Sequence, residues 1–262
     1  MRVKDTLLYA YFRRTIYLIT IHPGEIIRER KRRKGNDAEG YDLKKYKDIH
    51  RGKRCFIIAT GPSLTADDYM KLRDEHTIGV NGLCLWFEKY GVETEYFVVS
   101  DDDVFDRIRD NLDKTSKAEI FVSERVKETF YIPEKYKIFP VDIWNRFALE
   151  DSRKRFSNDI SICSYDEETV VFHAIQLAVY MGFTDIYLIG TDCNYDQSKV
   201  YAVDHGKKVD DISIGPKMIR SYEVVKQYES KYNFRVYNAT RGGMLEVFDR
   251  VDLDKILGEK SR

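Results

Sequence analysis

The amino-acid sequence predicts an α/β protein in which a mainly parallel β-sheet is covered by helices on both faces. Six short runs of β-branched and aromatic residues alternate with segments of helical periodicity. This alternation is typical of parallel sheets, because parallel neighbours require a crossover connection. Residues 56–59 and 186–189 are apolar without interruption, which indicates central strands that are buried on both faces.

The predicted elements follow one another along most of the chain. The strands are residues 55–59, 77–80, 96–100, 120–123, 186–190 and 234–237, and the helices are residues 66–73, 83–90, 104–112, 167–181 and 216–232. Residues 1–21 have a helical spacing of apolar side chains that ends at Pro23-Gly24, and the charged stretch from there to Arg54 is interpreted as a connector. We therefore divide the chain into a basic N-terminal leader, residues 1–43, and a Rossmann-like domain with a short lid segment, residues 44–262.

The charges of the chain are unevenly distributed. The 44 basic and 44 acidic residues cancel, but residues 1–54 contain 16 Lys and Arg against seven Asp and Glu, a net charge of +9. The remainder carries −9. A basic leader suits either an anionic partner such as a membrane surface or packing along the acidic body. Peripheral membrane contact through residues 1–34 is thus one of two alternatives, and no nucleic-acid partner is expected.

The composition limits the class of protein. With 43% hydrophobic residues, the chain can bury a sizeable core. Its four cysteines have no metal-ligand spacing and are expected to be buried, reduced thiols. The sequence contains neither an apolar run of about 18 residues nor the pattern of a signal peptide. We therefore expect a cytoplasmic protein, with attachment to the inner membrane face as an option, and a homo-oligomer is compatible with these features.

Polar residues and glycines follow four of the predicted strands, at residues 60–63, 80–82, 100–103 and 190–192. Ligands of parallel sheets bind outside the carboxyl ends of the strands, so these segments predict one shared cleft. In the first segment, Gly61 allows close approach of the backbone, Pro62 fixes the turn and Ser63 offers a hydroxyl. This loop has neither the Walker A pattern nor the GxGxxG spacing. An ordinary strand-to-helix turn remains the alternative.

Carboxylates lie at two of these strand ends. Asp101 and Asp103 could hold Mg²⁺ against a diphosphate, because hard cations prefer oxygen ligands. They could equally cap the helix that follows, where the helix dipole stabilises acidic side chains. Asp192 ends the strand at residues 186–190 with a similar ambiguity. The sequence therefore requires no cofactor, and Mg²⁺ stays an option.

The loop that contains His205 carries the remaining candidates. His205 lies in a polar segment after the last central strand, and its imidazole could take a proton from a hydroxyl near pH 7. A surface histidine without a role fits the spacing nearly as well. His173 lies in an apolar helix and is predicted to be a core residue. Tyr195 and Tyr201 flank the loop, and their phenol hydroxyls could donate hydrogen bonds to a departing phosphate.

Several of these segments resemble one superfamily. Residues 56–64 resemble the G-x-G-P-S-L signature shared by bacterial sialyltransferases, motility-associated flagellin glycosyltransferases and archaeal 6-hydroxymethylpterin diphosphokinases. Residues 80–82, 182–192 and 238–243 match further segments of these proteins in the same order. In the sialyltransferases, two tyrosines six residues apart follow the strand and assist the leaving phosphate. Tyr195 and Tyr201 have this spacing, and Ala202-Val203-Asp204 continues the match.

The resemblance implies an inverting glycosyltransferase that uses a nucleotide-activated sugar, with CMP as the favoured carrier, in cell-surface polysaccharide or glycoconjugate assembly. Its partners would be a nucleotide-sugar donor and a glycan or lipid-linked acceptor. The implied nucleotide-binding residues are Thr60, Gly61, Pro62, Ser63, Asn81 and Asp192, and the implied catalytic residues are His205, Tyr195, Tyr201 and Asp101.

Two departures from the sialyltransferases leave alternatives open. Residues 59–61 read Ala-Thr-Gly where the sialyltransferases have Gly-Asn-Gly, and Asp101 stands where they tend to have an asparagine. The second hypothesis is therefore a Mg²⁺-dependent diphosphokinase of the 6-hydroxymethylpterin type, with Asp101, Asp103 and Asp192 as metal ligands. The third is a module that binds a nucleotide or glycan without chemistry.

Overall fold

The computed structural model describes residues 7–35, 43–195, 201–203, 206 and 213–258. Within these ranges the helices are α1 (Leu7–Thr20), α2 (His22–Arg33), α3 (Ala66–Lys71), α4 (Leu85–Tyr90), α5 (Asp102–Leu112), α6 (Glu124–Thr129), α7 (Val170–Tyr180), α8 (Ile214–Tyr232) and α9 (Leu253–Gly258). The strands are β1 (Arg54–Ile58), β2 (Thr77–Val80), β3 (Tyr96–Val99), β4 (Glu119–Ser123), β5 (Lys137–Phe139), β6 (Val141–Asp142), β7 (Ser164–Tyr165), β8 (Asp185–Ile189) and β9 (Arg235–Asn238).

Seven strands form one sheet in the order β5-β4-β3-β2-β1-β8-β9, and every neighbouring pair is parallel. The chain builds this sheet outward from β1 to β5 and then returns to add β8 and β9 on the other side of β1. The order therefore reverses between β1 and β8, which is where parallel sheets open a ligand crevice. The predicted α/β class, with a mainly parallel Rossmann-like sheet, is confirmed.

Helices cover both faces of the sheet because successive side chains of a buried strand point to opposite faces. In β1, Cys55 and Ile57 pack with α7 and α8 on one face. Phe56 and Ile58 pack with α3, α4 and α5 on the other. All four side chains are fully buried, which explains why this segment is apolar without alternation. The four cysteines are buried and unpaired with one another, as predicted.

Short polar side chains fix where the helices after the strands begin. Thr65 accepts a hydrogen bond from the Asp68 N–H at the start of α3, and Asp101 accepts one from the Val104 N–H at the start of α5, both at 3.0 Å. Thr169 caps α7 in the same way. Such N-caps satisfy backbone donors that have no partner within the helix. They set the direction in which each chain segment leaves the carboxyl edge of the sheet.

The sequence analysis expected a connector from Pro23-Gly24 to Arg54, but the first part of this stretch is helical. Residues His22–Arg33 form α2, because Pro23 lies in the first turn of that helix, where its missing N–H costs nothing. Both leader helices contact the body. Tyr17 of α1 is buried, stacks on Phe147 at 4.3 Å between ring centroids, and donates a hydrogen bond to Glu25 of α2. Within the described ranges, every helix is too short or too polar to span a bilayer.

Candidate active site

A cleft opens between the carboxyl ends of β1 and β8, at the reversal of strand order. Its empty volume, counted out to the solvent-open mouth, is about 430 Å³. The predicted site residues that line it are Thr60, Gly61, Pro62, Asn81, Asp192, Tyr195 and Tyr201. Side chains from four separate parts of the sequence therefore meet around one space.

Gly61 forms the floor of the cleft where the two central strands separate. Its N–H donates to the Gly190 carbonyl at 2.8 Å, which continues the β1–β8 pairing past the strand ends. A Cβ atom at position 61 would overlap both the Asp192 carboxylate and the Gly190 carbonyl. Gly190 itself has φ of +66°, a left-handed conformation that glycine adopts without strain. The loop thus needs glycine on both strands to close this tightly.

Asp192 connects the ends of the two strands. Its carboxylate accepts hydrogen bonds from the Ser63 hydroxyl at 2.8 Å and from the Ser63 N–H at 3.4 Å. Burial raises the pKa of Asp192, and the bonds from Ser63 partly oppose that rise. Ser63 is therefore placed to hold Asp192, and the pair fixes the loop in front of α3.

The segment at residues 238–243 supports Asp192 from behind. Asn238 is fully buried, donates to the Leu245 carbonyl and accepts from the Thr240 N–H. Thr240 in turn accepts from the Thr191 N–H at 3.1 Å, and the Met244 N–H donates to the Asp192 carbonyl at 2.7 Å. Gly243 packs so closely on the Asp192 backbone that a Cβ would overlap it. The segment Asn-Ala-Thr-Arg-Gly-Gly at residues 238–243 thus supports the cleft structurally.

Two residues with left-handed backbone conformations line the cleft. Asn81 and Cys193 have φ of +54° and +52°, in the left-handed region that residues other than glycine rarely occupy. Such strain persists where the surrounding structure enforces it, and it is concentrated at functional sites. Asn81 follows β2 directly and begins a short 3-10 helix, and it lines the cleft.

Tyr195 and Tyr201 lie together on one wall. Their ring centroids are 6.4 Å apart in an edge-to-face arrangement. The Tyr195 hydroxyl donates to the Met218 sulfur at 3.3 Å, a weak acceptor that a phosphate oxygen could replace. Burial raises the pKa of both tyrosines, and the Asp101 carboxylate adds to the rise at Tyr201. Both phenols therefore stay protonated at neutral pH and can act as hydrogen-bond donors.

Two hydroxyls of the cleft are buried and have no hydrogen-bond partner in the described part of the chain. They are Thr60 Oγ1 and Thr191 Oγ1, which follow β1 and β8 at matching positions. A buried hydroxyl without a partner costs free energy, and ligand atoms are one way to satisfy it. The Thr60 carbonyl accepts from the Ala202 N–H at 2.8 Å, which ties the Tyr201 segment to this loop.

Asp101 and Asp103 leave β3 in different directions. The Asp101 carboxylate caps α5 and lies near enough to Tyr201 to raise its pKa. Asp103 lies on the outer side of α5, where its carboxylate is 53% exposed and pairs with Arg107 at 3.1 Å. A cation bound to both residues would have to compete with the helix cap and the arginine.

One group of three metal-ligand side chains occurs among the described residues, and it lies elsewhere. His50, His76 and Glu95 place their ligand atoms within 4.8 Å of one another at the amino ends of the strands, opposite the cleft. His50 already contacts the Tyr96 hydroxyl at 2.7 Å, and the Lys53 ammonium lies 3.5 Å from His76. This group is distinct from the predicted Mg²⁺ site.

The sequence analysis made predictions for two histidines, His205 and His173. His205 and its neighbour Asp204 lie outside the described residues, so the role of His205 stays a prediction. His173 is a core residue, as predicted. Its ring is 1% exposed and contacts the Ser164 hydroxyl at 2.7 Å and the Asp166 carboxylate at 3.2 Å.

Residues that the sequence analysis did not assign to the site also line the cleft, among them Thr169, Val171, Met218 and Tyr222. They come from the amino end of α7 and from α8. Tyr222 is fully buried, and burial raises its pKa well above the ordinary value. Thr169 lay inside the helix predicted at residues 167–181, whereas in the structure it is the N-cap of α7.

Comparison with known proteins identifies the family to which the chain belongs. The solved structure of MAf glycosyltransferase from Magnetospirillum magneticum AMB-1 is similar, with a TM-score of 0.48 and 16% identity, over 80% of this chain and 37% of that one. The chain thus spans well under half of that protein, and no curated protein matches it. The model of the 6-hydroxymethylpterin diphosphokinase MptE-like family matches residues 34–198. Because this match takes in more than half of the sequence, the chain belongs to the 6-hydroxymethylpterin diphosphokinase MptE-like family.

Proposed function

We propose that the protein is an inverting glycosyltransferase that binds a nucleotide-activated sugar, with CMP as the carrier, in the cleft between β1 and β8. The observation that carries the proposal is the convergence of two protonated phenols with the glycine loop. Tyr195 and Tyr201 share the cleft with Gly61 and Asn81 although more than 100 residues separate the two groups in the sequence. In this arrangement the two phenol hydroxyls can donate hydrogen bonds to a departing phosphate and so stabilise its negative charge.

In this mechanism the bond from the anomeric carbon to the phosphate oxygen breaks while an acceptor hydroxyl bonds to the same carbon from the opposite side. The hydroxyl proton passes to a base, for which His205 is the predicted residue. The negative charge that develops on the CMP phosphate is stabilised by the hydroxyls of Tyr195 and Tyr201. The nucleotide is positioned by the loop at residues 60–63 and by the Asn81 amide. Positioning of donor and acceptor supplies the larger part of the rate enhancement.

The acceptor proposed for this reaction is a hydroxyl of a glycan or of a lipid-linked glycan, in cell-surface polysaccharide or glycoconjugate assembly. The resemblance to glycosyltransferases of bacterial surface glycans supports this class. We further propose that Asp101, whose charge contributes to the raised pKa of Tyr201, orients the donor.

A diphosphokinase is the second candidate, and the family match favours it. The matching family model bears the name of 6-hydroxymethylpterin diphosphokinase. In that reaction a pterin hydroxymethyl oxygen would attack the β-phosphorus of ATP, and AMP would leave. The hydroxyls of Thr60 and Thr191 would then donate to a diphosphate, and Asp101 and Asp192 are the residues that would hold a Mg²⁺ ion to neutralise its charge.

Calorimetry with CMP, CDP, UDP, GDP and ATP, each with and without Mg²⁺, separates the two candidates. A glycosyltransferase of the proposed kind binds CMP most tightly and keeps its affinity in EDTA. Preferred binding of ATP that depends on Mg²⁺, together with turnover of a hydroxymethylpterin, would replace the proposal with the kinase. Absence of binding by every nucleotide would leave only the non-catalytic glycan module.

The two tyrosines give a second test, on the chemistry itself. Tyr195→Phe and Tyr201→Phe should each lower kcat for the hydrolysis of a CMP-sugar by about 10- to 100-fold with little change in KM for the CMP-sugar, because each removes one donor to the charge that develops on the departing phosphate. Tyr131→Phe is the matched control, since that side chain is 86% exposed and lies outside the cleft. Unchanged rates in both cleft variants would remove the phenols from the mechanism.

A further inference from the structure

The outward face of α1 is apolar and uncovered. Leu8, Phe12 and Ile19 are 81%, 61% and 72% exposed and recur at helical spacing, so that they share one side of the helix. Tyr11 lies on the same side and is also exposed. Of the eleven large hydrophobic side chains that are exposed among the described residues, eight lie between positions 8 and 27. The exposure is therefore concentrated in the first two helices, and Leu8, Tyr11, Phe12 and Ile19 form a contiguous apolar patch of the kind that monomeric proteins rarely leave without a partner.

The opposite face of α1 packs against the rest of the protein, so this helix already buries one side. Tyr17 is 1% exposed and stacks on Phe147. The guanidinium groups of Arg13 and Arg14 lie over the rings of Phe147 and Trp144, at 5.2 and 5.7 Å. Thr15, a polar residue on the outward side, donates its hydroxyl to the Tyr11 carbonyl at 2.9 Å. The only polar group in the middle of the patch is thereby satisfied within the helix.

The helix that follows supplies positive charge beside this patch. Residues 7–35 contain eight Lys and Arg against two acidic residues, and six of the eight lie in residues 28–34 at the end of α2. Arg30, Lys31 and Lys34 are exposed. An apolar face next to a basic strip is the composition of helices that lie in the surface of an anionic bilayer.

We propose that α1 and α2 bind the surface of an anionic lipid bilayer, with Leu8, Tyr11, Phe12 and Ile19 inserted among the lipids and the basic end of α2 over the headgroups. A second copy of the chain fits less well. A twofold contact uses the same patch on both subunits, so it would bring two copies of the basic strip toward each other.

The position of α1 relative to the sheet supports the same partner. The helix docks on residues Trp144–Phe147, a short helical turn that follows β6. β6 continues the chain from the carboxyl end of β5 and so lies beyond the edge of the sheet where the cleft opens. A bilayer bound to α1 would face that edge of the molecule.

Sedimentation with vesicles tests the proposal on the full chain. The protein should bind phosphatidylcholine vesicles that contain about one third phosphatidylglycerol, bind pure phosphatidylcholine at least about tenfold more weakly, and be released as salt is raised from about 0.1 M to about 0.5 M. The double variant Phe12→Ser/Ile19→Ser should bind the anionic vesicles at least about tenfold more weakly. The variant Arg30→Gln/Lys31→Gln should lose affinity by a similar factor.

Tyr131→Ser is the matched control, because it removes an equally exposed aromatic side chain elsewhere on the surface. Circular dichroism establishes that each variant is folded. Equal binding of the wild type and the Phe12/Ile19 variant would overturn the proposal. A concentration-dependent dimer that this variant dissociates, with no vesicle binding by the wild type, would assign the patch to a second copy. No nucleotide is present, so the outcome is independent of the proposed reaction.

Discussion

At the scale of single residues, Gly61 is the point where the cleft has no spare room. We predict that Gly61→Ala lowers the free energy of unfolding by about 3 kcal/mol and weakens nucleotide binding at least about tenfold, because the added Cβ overlaps Asp192 and the Gly190 carbonyl. Gly242→Ala is the matched control, since a Cβ there meets nothing within 4 Å. Urea unfolding and calorimetry measure the two effects. A Gly61 variant as stable as the control would show that the two strand ends can move apart.

Asp142 gives a prediction about pH. Burial, followed by the nearby charge of Glu25, raises the pKa of Asp142 from 3.8 to about 6. A carboxyl whose pKa rises on folding contributes stability that is fully present below about pH 4 and is lost as the pH rises through about 6. Asp142→Asn cannot ionise, and its side-chain oxygen can still accept from the Trp144 N–H. We therefore expect the free energy of unfolding of this variant to exceed that of the wild type by about 3 kcal/mol at pH 7.5 and to equal it at about pH 4.

Urea unfolding at several pH values measures this difference. Asp106→Asn, at an exposed carboxylate, is the control and should change little at either pH. A stability gain at position 142 that is independent of pH would mean that ionisation of this carboxyl does not contribute.

At the scale of secondary-structure elements, the attachment of α1 depends on one aromatic side chain. Tyr17→Ala removes the stack on Phe147 and the hydrogen bond to Glu25. We expect α1 to detach locally at a cost of about 3 kcal/mol or more, while the sheet remains folded. Limited trypsin digestion should then cleave after Arg13 or Arg14 much faster than in the wild type. Tyr11→Ala, in the same helix but on the exposed side, should be cleaved at the wild-type rate.

The sheet could be predicted from the sequence because its central strands are buried on both faces. Every one of the six predicted strands is present with ends within one residue of the prediction. β5, β6 and β7 were missed because they are two or three residues long, too short for any pattern of hydrophobic residues. α2 was missed for a different reason. Proline was read as a breaker, although it is tolerated in the first turn of a helix.

The candidate site could be predicted only in part. The residues that follow strands were found, because topology alone brings the ends of β1, β2 and β8 to one edge. Tyr222 and Met218 could not be found in this way. They lie in the middle of α8, and which side of that helix faces the cleft depends on how it packs on the sheet. The pairing of Asp103 with Arg107 is also a matter of side-chain direction.

At the scale of the whole molecule, a ligand that binds only the folded chain should stabilise all of it. At a CMP concentration of about 100 times Kd, binding adds about 2.7 kcal/mol, which for a chain of this size raises Tm by about 5–10 °C. Differential scanning fluorimetry measures the shift. At the same CMP concentration the shift should fall to about half or less in Gly61→Ala and persist in Gly242→Ala. A larger shift with ATP and Mg²⁺ than with CMP would favour the diphosphokinase.

The backbone bonds at the base of the cleft have a consequence for the thermodynamics of recognition. Gly61 is tied to Gly190, Ala202 to Thr60, and Met244 to Asp192, all by main-chain hydrogen bonds of 2.7 to 2.8 Å. These connections exist before any substrate arrives, so the base of the cleft is preorganised and loses little conformational entropy on association. The binding free energy should then depend mainly on the polar contacts that the ligand makes, because little of it is lost in ordering this part of the chain.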